Sequence, residues 1–407
     1  MGLEKKYETP LLDQLETGQW PSFVKEIKLA AAWNPMANDL LGLLERSYHE
    51  RIGHWKHGGI VGVMGYGGGV IGRYTDVPED FPDIAHFHTI RVNQPAGWYY
   101  TADVLKKICD IWDKHGSGLT NMHGSTGDMV LLGCRTEVLE PIFAELTELG
   151  FDLGGSGSDV RTPSCCCGES RCEWACYDTM AMAHYATNRY QDELHRPAFP
   201  YKFKMKFSGC PNDCVASVAR ADLSVIGTWR DAIQINQDEV RNYAKNGVDI
   251  VKEIVLNCPG KCIDWDGNTI KIDDSSCRHC MHCINVMPKG LAPGKDRGAC
   301  ILLGSKAPIV EGALLSSVLI PFIKLEEPYD ELELWETIEN IWDLWCEEGK
   351  NRERVGEFIQ RVGMGNFLEE VGIEPVPEMV AHPRENPYIF YEEYFVEIGR
   401  ASCRERV

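Results

Sequence analysis

The clearest chemical signal in the sequence is a group of closely spaced cysteines. Cys277, Cys280 and Cys283 follow one another at C-x2-C-x2-C spacing, and Cys258, followed by a proline, lies upstream. Three close thiolates with one remote Cys-Pro are the ligand pattern of a [4Fe–4S] cluster. A structural zinc ion, which also accepts four thiolates, is the alternative. The spacing favours the cluster, and Cys262 is a second choice for the remote ligand.

A second set of cysteines has a different spacing. Cys166 and Cys172 form C-x5-C, and Cys210 and Cys214 form C-x3-C. A zinc knuckle would show C-x2-C and a ferredoxin would show three close cysteines, so neither class fits. The first ligand lies in the triplet 165–167, where the C-x5-C spacing favours Cys166. Clustered thiols in a reducing compartment indicate metal binding or redox work.

Basic residues lie next to these cysteines in a chain whose formal net charge is -20. In "YKFKMKFSGCPNDC", lysines alternate with apolar residues, so on a strand they would share one face. A solvated lysine face is the simplest explanation of that pattern. An anion pocket is the other, because a buried anion requires paired cations. The candidates for this pocket are Arg73, Arg91, Arg161, Lys202, Lys204, Lys206 and Arg220.

The two cysteine pairs together resemble the sirohaem sulfite and nitrite reductase family, in which four such cysteines hold a [4Fe–4S] cluster coupled to sirohaem. The cysteine-rich insert and several segments narrow the resemblance to the alpha subunits of its dissimilatory branch. These segments are "HWKHGGIVGVMGYGGGVIGRY", "GSGLTNMHGSTGD", "RPAFPYKFKMKF" and "NPYIF". The resemblance runs from about residue 10 to residue 390.

The resemblance implies a role for each candidate residue. Cys166, Cys172, Cys210 and Cys214 would hold the first cluster, with Cys214 bridging to the haem iron, and Cys258, Cys277, Cys280 and Cys283 would hold the second. Arg73, Arg161, Lys202 and Lys204 would bind sulfite, whereas Arg91, Lys206 and Arg220 would lie nearer the porphyrin carboxylates. The cofactors implied are sirohaem, or its metal-free form, and two [4Fe–4S] clusters.

The implied activity is the six-electron reduction of sulfite to the sulfide level, with the product passed to a small sulfur-carrier protein. The implied assembly is an α2β2 heterotetramer with a paralogous beta subunit, in which one of the two kinds of porphyrin site can be blocked or lack iron. An assimilatory-type sulfite or nitrite reductase and a non-catalytic iron–sulfur electron-transfer subunit are the alternatives. The same machinery can also run in the oxidative direction.

Composition limits the other functions. The acidic balance argues against nucleic acid or an anionic membrane surface as the main partner. The N-terminus has no secretory pattern, and the longest apolar run, "GALLSSVLIPFI", is shorter than the roughly 20 residues that span a bilayer. We therefore expect a cytoplasmic protein without membrane insertion.

The elements that must position these residues indicate an α+β fold with sulfite-reductase-type mixed α/β domains, an inserted ferredoxin-like module and a helical C-terminal part. We expect domains at 1–160, at 161–245 plus 304–330, at 246–303 and at 331–407. Thr101 is expected to cap a helix, "CIDWDGNTIKIDD" to form a hairpin, and "LTNMHGSTGDMVLLG" to give a strand, a polar loop and a helix start. "GYGGGVIG" could be a Rossmann phosphate loop, but no helical pattern follows it.

Overall fold

The computed structural model of the chain describes residues 2–307 and 314–380. The segment "NPYIF", Cys403 and the tail after about residue 390 lie outside the described residues. Contacts divide the chain into two units. The first comprises Met1–Ser164, Ala183–Met205 and Trp342–Phe358, and the second comprises Cys165–Met182, Lys206–Ile341 and the residues from Ile359 onward. The four domains expected from the sequence stay a prediction.

Helices and strands alternate along most of the chain. In chain order the helices are α1 (Pro10–Leu15), α2 (Phe23–Ala31), α3 (Pro35–Glu50), α4 (Ala102–His115), α5 (Leu139–Glu148), α6 (Thr179–Arg189), α7 (Gln191–His195), α8 (Ser217–Arg220), α9 (Gln237–Lys245), α10 (His282–Val286), α11 (Glu333–Glu348), α12 (Val355–Val362), α13 (Met364–Val371) and α14 (Pro377–Val380). The strands are β1 (Trp55–Ile60), β2 (Val70–Thr75), β3 (His88–Val92), β4 (Gly116–Met122), β5 (Met129–Cys134), β6 (Val160–Cys165), β7 (Phe203–Ser208), β8 (Leu223–Trp229), β9 (Gln234–Ile235), β10 (Ile263–Trp265), β11 (Ile270–Ile272), β12 (Leu291–Ala292), β13 (Arg297–Leu303) and β14 (Ser317–Ile323). The mixture confirms the α+β class.

The first unit is built on an antiparallel sheet in the order β1-β2-β3-β5-β4. Successive side chains of a strand point to opposite faces, so neighbouring residues of β5 serve two cores. Leu131 is buried with residues of α4 and α5. Leu132 packs against the cluster formed by α1, α2 and α3. Helices therefore cover both faces of this sheet and fix the strands that carry Arg73 and Arg91.

The loop after β4 departs from the sequence expectation. We expected a helix start in "MVLLG", but Met129–Cys134 is strand β5, which pairs with both β3 and β4. Two neighbouring strands supply hydrogen bonds to the whole segment, and this tertiary pairing overrides the local pattern. The consequence is that the polar loop 123–128 connects two strands of one sheet.

Several other local expectations are confirmed. The Thr101 side chain accepts a hydrogen bond from the N–H of Val104 and caps α4. β10 and β11 form the expected hairpin. The residues after "GYGGGVIG" continue in β2 rather than in a helix, which removes the Rossmann alternative. Three tryptophans of α11 are also buried: Trp335, Trp342 and Trp345.

A second sheet has the order β14-β13-β8-β7-β6, with β13 antiparallel to both β14 and β8. The chain crosses from one unit to the other within β6 and again within β7. In the second unit, a hydrophobic cluster joins residues of β8 to the cysteine-rich insert. Within residues 2–307 and 314–380, no helix is long and apolar enough to cross a membrane.

Candidate functional site

Arg91 in β3 is a buried cation of the first unit. One terminal nitrogen of its guanidinium donates to Asp128 Oδ2 at 3.0 Å. The hydroxyl of Thr126 also donates to this carboxylate oxygen. Arg91 Nε and Asp128 Oδ1 have no hydrogen-bond partner among the described residues. The pair therefore keeps one unused donor that can bind a further anion, although Asp128 already compensates part of the charge.

Arg161 in β6 is the second buried arginine of this unit. A terminal nitrogen donates to the carbonyl oxygen of Gly157 at 2.8 Å, and Nε has no partner among the described residues. Burial lowers the pKa of Arg161 to about 10, and the positive charge of Arg91 acts in the same direction. Two guanidinium groups close enough to perturb each other, each with an unused donor, favour a bound anion.

The polar loop between β4 and β5 contributes Ser125, His123 and Thr126 to the surroundings of these cations. Ser125 Oγ accepts from Lys204 Nζ at 2.6 Å. His123 Nδ1 lies 2.8 Å from the hydroxyl of Thr126. Burial lowers the pKa of His123 to about 4, and the charge of Arg91 lowers it further. His123 is therefore a neutral imidazole at neutral pH, and it lies among the cations.

Arg73 and Lys202 are the other predicted sulfite ligands in this unit, and both are half-buried. Arg73 lies in β2, where its backbone N–H donates to His88 Nδ1 at 3.2 Å. Lys202 precedes β7, and its ammonium lies 4.8 Å from the ring centroid of Tyr201. The structure therefore places five predicted cations in the first unit: Arg73, Arg91, Arg161, Lys202 and Lys204.

Lys206 and Arg220 lie in the second unit. Lys206 is only 2% exposed, and its ammonium donates to the carbonyl oxygen of Val215 at 3.0 Å. Burial lowers the pKa of Lys206 to about 8, while Asp213 favours the charged form and Arg220 opposes it. Lys206 therefore does not lie on a solvated face. Lys202 and Lys204 are half-buried, so the solvated-face alternative stays open for these two lysines.

The first cysteine set is brought together by the ends of β6 and β7. Cys166 Sγ accepts a hydrogen bond from the N–H of Gly209 at 3.2 Å. Burial raises the pKa of Cys214, and the thiols of Cys166 and Cys172 raise it further. Burial likewise raises the pKa of Cys210 to about 11, with contributions from the same neighbours. The four predicted ligands therefore lie close enough to interact electrostatically. Cys167 also lies near Cys166 and Cys172, so the choice of the first ligand within the triplet 165–167 stays a prediction.

The second cysteine set lines a cavity in the insert. The Sγ atoms of Cys258 and Cys262 are 3.4 Å apart. Burial raises the pKa of Cys283 to about 12, helped by Cys280, Cys277 and Cys258. Across residues 2–307 and 314–380, no three His, Cys, Asp or Glu side chains are arranged around one point so that they could hold a single metal ion. A [4Fe–4S] cluster instead takes one thiolate at each of its four irons. The ligand assignments for both sets therefore remain predictions.

The two cysteine sets are tied to one another within the second unit. Asn212, between Cys210 and Cys214, exchanges amide hydrogen bonds of 3.1 and 2.7 Å with Asn285 in α10. Trp229 of β8 stacks on His279, with ring centroids 4.4 Å apart. These contacts anchor the insert beside the end of β7.

Sequence reasoning missed the two carboxyl groups among the predicted anion-binding cations. Asp128 ends the quoted segment "GSGLTNMHGSTGD", and Asp159 precedes Arg161 by two residues. Both are fully buried. Neither fits an anion site by residue type, so only the folded chain reveals them.

Comparisons with known proteins identify the family. Residues 156–378 match the nitrite and sulphite reductase 4Fe-4S domain, and residues 82–149 match the nitrite/sulfite reductase ferredoxin-like half domain. The dissimilatory-type sulfite reductase subunit alpha of Nitratidesulfovibrio vulgaris is 57% identical over 97% of this chain and 96% of its own length. The corresponding subunit of Allochromatium vinosum is 46% identical over 94% of each chain.

A solved structure agrees with these relatives. The crystal structure of dissimilatory sulfite reductase I matches this fold with a TM-score of 0.87 at 56% sequence identity, over 94% of each chain. The resemblance inferred from the cysteine spacing and the glycine-rich segments is confirmed. The chain therefore belongs to the family of dissimilatory-type sulfite reductase alpha subunits.

Proposed function

We propose that this chain, paired with a beta-type subunit, reduces sulfite to the sulfide level at a sirohaem-[4Fe–4S] centre. The observation that carries the proposal is the grouping of Cys166, Cys172, Cys210 and Cys214, in which the first two thiols help to raise the pKa of the last two. Four thiolates on two short loops are the donor set of a [4Fe–4S] cluster. Their position at the ends of β6 and β7 links them along the chain to the cationic segments.

The cationic residues fit the second cofactor. Sirohaem carries eight carboxylates, and Arg91 Nε and Arg161 Nε are buried donors without a partner among the described residues. We assign Arg91, Lys206 and Arg220 to these carboxylates.

When bound, sirohaem supplies an open iron coordination position for the sulfur of sulfite, and the two clusters supply electrons. The protein side chains then bind and orient the anion. Arg73 and Arg161 are assigned to the sulfite oxygens because guanidinium groups bind oxyanions in a bidentate manner. Lys202 and Lys204 are assigned to the same oxygens, where an ammonium group can also donate a proton. The charges stabilise the negative charge that develops on oxygen.

The second cluster is assigned to Cys258, Cys277, Cys280 and Cys283, and it would be the entry point for electrons. The Asn212–Asn285 amide pair holds its loop beside the first cysteine set.

We further propose an α2β2 assembly, a small sulfur-carrier protein as acceptor of the product, and a cytoplasmic location. The oxidative direction is chemically open because iron–sulfur potentials span a wide range.

The test is the composition of the chain co-purified with its beta-type partner from a host that makes sirohaem. We expect about eight cluster irons per alpha chain, matching acid-labile sulfide, and a tetrapyrrole absorption band. Zinc in place of iron would contradict both cluster assignments. Iron without a tetrapyrrole would instead support an electron-transfer subunit.

A pair of variants sharpens this test. Cys214→Ser should remove the first cluster and the coupling to the tetrapyrrole while the second cluster remains. Cys300→Ser is the matched control, because Cys300 lies in β13 and outside both cysteine sets. Equal iron and sulfide in the two variants would contradict the assignment of Cys214.

A further inference from the structure

Asp159 is a buried carboxyl group with no assigned role. Its side chain is fully buried, and neither oxygen has a hydrogen-bond partner among the described residues. The backbone N–H of Ser156 favours the charged form without meeting hydrogen-bond geometry. Glycines allow this tight enclosure, since a Cβ at Gly68 would lie 2.5 Å from Asp159 Oδ2. Gly157, which has a positive φ of 81°, connects this carboxyl group to Arg161. A Cβ at Gly157 would lie 3.2 Å from Asp159 Oδ1, and the carbonyl oxygen of Gly157 accepts from Arg161 at 2.8 Å.

The surroundings of Asp159 belong to the proposed anion site. Its backbone carbonyl accepts from the N–H of Phe203, the first residue of β7. Arg161 and Arg91 are the cations whose charges reach the carboxyl group. The other titratable groups close to these two arginines are Asp128, His123 and Tyr201, and Lys204 in turn acts on His123. Asp159 therefore shares Arg161 with any anion that binds there.

We propose that Asp159 takes up one proton from solvent when an anion binds at Arg161, and that it holds this proton beside the bound anion. The step converts a carboxylate to a carboxylic acid and transfers no electrons. It rests on the proposed function in one respect, namely that sulfite binds at Arg161.

The physical reason is competition between two anions for the same cations. Burial raises the pKa of Asp159 to about 7, and the charges of Arg161 and then Arg91 limit this rise. A bound dianion neutralises these charges, so the pKa of Asp159 must rise above that value. At pH 7 about half of the carboxyl groups are charged before binding, and uptake approaches about half a proton per site. Uptake grows at pH 8 and vanishes near pH 5.

Such a proton is useful to this reaction. Each oxygen that leaves sulfite as water takes two protons with it. A general acid works best when its pKa lies near the working pH, because it must both give up and regain the proton. Asp159 meets this condition more closely than an ordinary lysine. It acts here as a proton-holding residue next to Arg161.

The test uses the assembled holoenzyme and sulfite as the probe. Infrared difference spectra of sulfite binding should show a new carboxylic-acid C=O band that shifts in D2O. Proton uptake is measured in parallel, in two buffers with different ionisation enthalpies. Asp159→Asn should lose the band and should take up fewer protons than the wild-type enzyme at pH 8. The protons that sulfite itself exchanges cancel in this difference between the two proteins. Asp110→Asn, which removes an exposed carboxyl group of α4, is the control and should keep both.

The outcomes separate the inference from the proposed function. Sulfite binding in the wild-type enzyme without a carboxylic-acid band overturns the inference and leaves the sulfite site intact. The same band in Asp159→Asn also overturns it. If the wild-type enzyme binds no sulfite, the proposed function and the inference fail together. Should Asp159→Asn not assemble, the wild-type spectra and their pH dependence still decide the question.

Discussion

Replacement of Lys206 by methionine tests whether this buried ammonium group holds an anionic cofactor. Lys206 is 2% exposed, and burial lowers its pKa from 10.5 to about 8. Each pH unit corresponds to ~1.4 kcal/mol, so the buried charge costs about 3 kcal/mol in the protein without tetrapyrrole. A protein that keeps such a charge gains from it elsewhere, and a porphyrin carboxylate is the proposed source of that gain.

The expected effect on binding follows from this energy. If a tetrapyrrole carboxylate restores the ordinary pKa of Lys206, the charge contributes up to about 3 kcal/mol to tetrapyrrole binding, or roughly a hundredfold in affinity. Lys206→Met should therefore bind the tetrapyrrole up to ~100-fold more weakly at pH 7. Methionine fills a similar space and adds no charge, although it leaves the carbonyl oxygen of Val215 without its present donor.

The pH dependence gives the sign of the effect. Below pH 8 Lys206 is charged whether or not the tetrapyrrole is bound, so affinity does not depend on its titration. Above pH 8 the protein without tetrapyrrole loses this proton, and binding must restore it. The wild-type affinity should then fall about tenfold for each pH unit until the restored pKa is reached. Lys206→Met should lack this slope.

The measurement is an absorbance titration of the tetrapyrrole-depleted αβ assembly with sirohaem at pH 7, 8 and 9. Lys245→Met is the matched control, because it removes an exposed ammonium group at the end of α9. An unchanged affinity and an unchanged slope in Lys206→Met would refute the reasoning. Lys206 would then serve only to tie β7 to the backbone at Val215.

Two further pairs of variants test the insert and the glycine-rich segment. Cys258→Ser should lower iron and labile sulfide toward the content of one cluster, whereas Cys262→Ser should leave both unchanged, and the reverse result would move the remote ligand to Cys262. Gly68→Ala should destabilise the protein by about 1–3 kcal/mol, because the added methyl group meets Asp159 Oδ2 at 2.5 Å and the carbonyl oxygen of His195 at 3.3 Å. Gly365→Ala in α13 is the control for Gly68→Ala, since a methyl group there meets nothing within 4 Å and alanine favours a helix. Equal denaturation midpoints for the two variants would contradict the steric argument.

Local signals in the sequence predicted much of the fold. The Thr101 cap and the β10–β11 hairpin both rest on short-range patterns, and the structure agrees. The helix start predicted for the segment 129–134 was wrong, because the pairing of this segment with β3 and β4 depends on residues distant in the sequence. Register and sheet order depend on such long-range contacts, and no local pattern encodes them.

The candidate site shows the same division. Cysteine spacing is a covalent property of the chain, so the two cysteine sets were visible in the sequence. Burial is not a covalent property. The alternation of Lys202, Lys204 and Lys206 with apolar residues therefore could not show that Lys206 is buried whereas Lys204 is half-buried. The buried carboxyl groups of Asp128 and Asp159 were missed for the same reason, since their burial and charge partners arise only in the folded chain.

The acidic composition and the anionic ligands are compatible because they act over different distances. The net charge of -20 belongs to the whole chain. At physiological ionic strength the field of surface charges is largely screened beyond about 8 Å. Buried groups such as Arg91 and Arg161 interact with a nearby anion across a medium that screens far less. An acidic surface therefore does not prevent anion binding, and the few buried cations decide it. Asp159 then has a specific effect, because it reduces the charge of the site in the absence of an anion and is neutralised when the anion arrives.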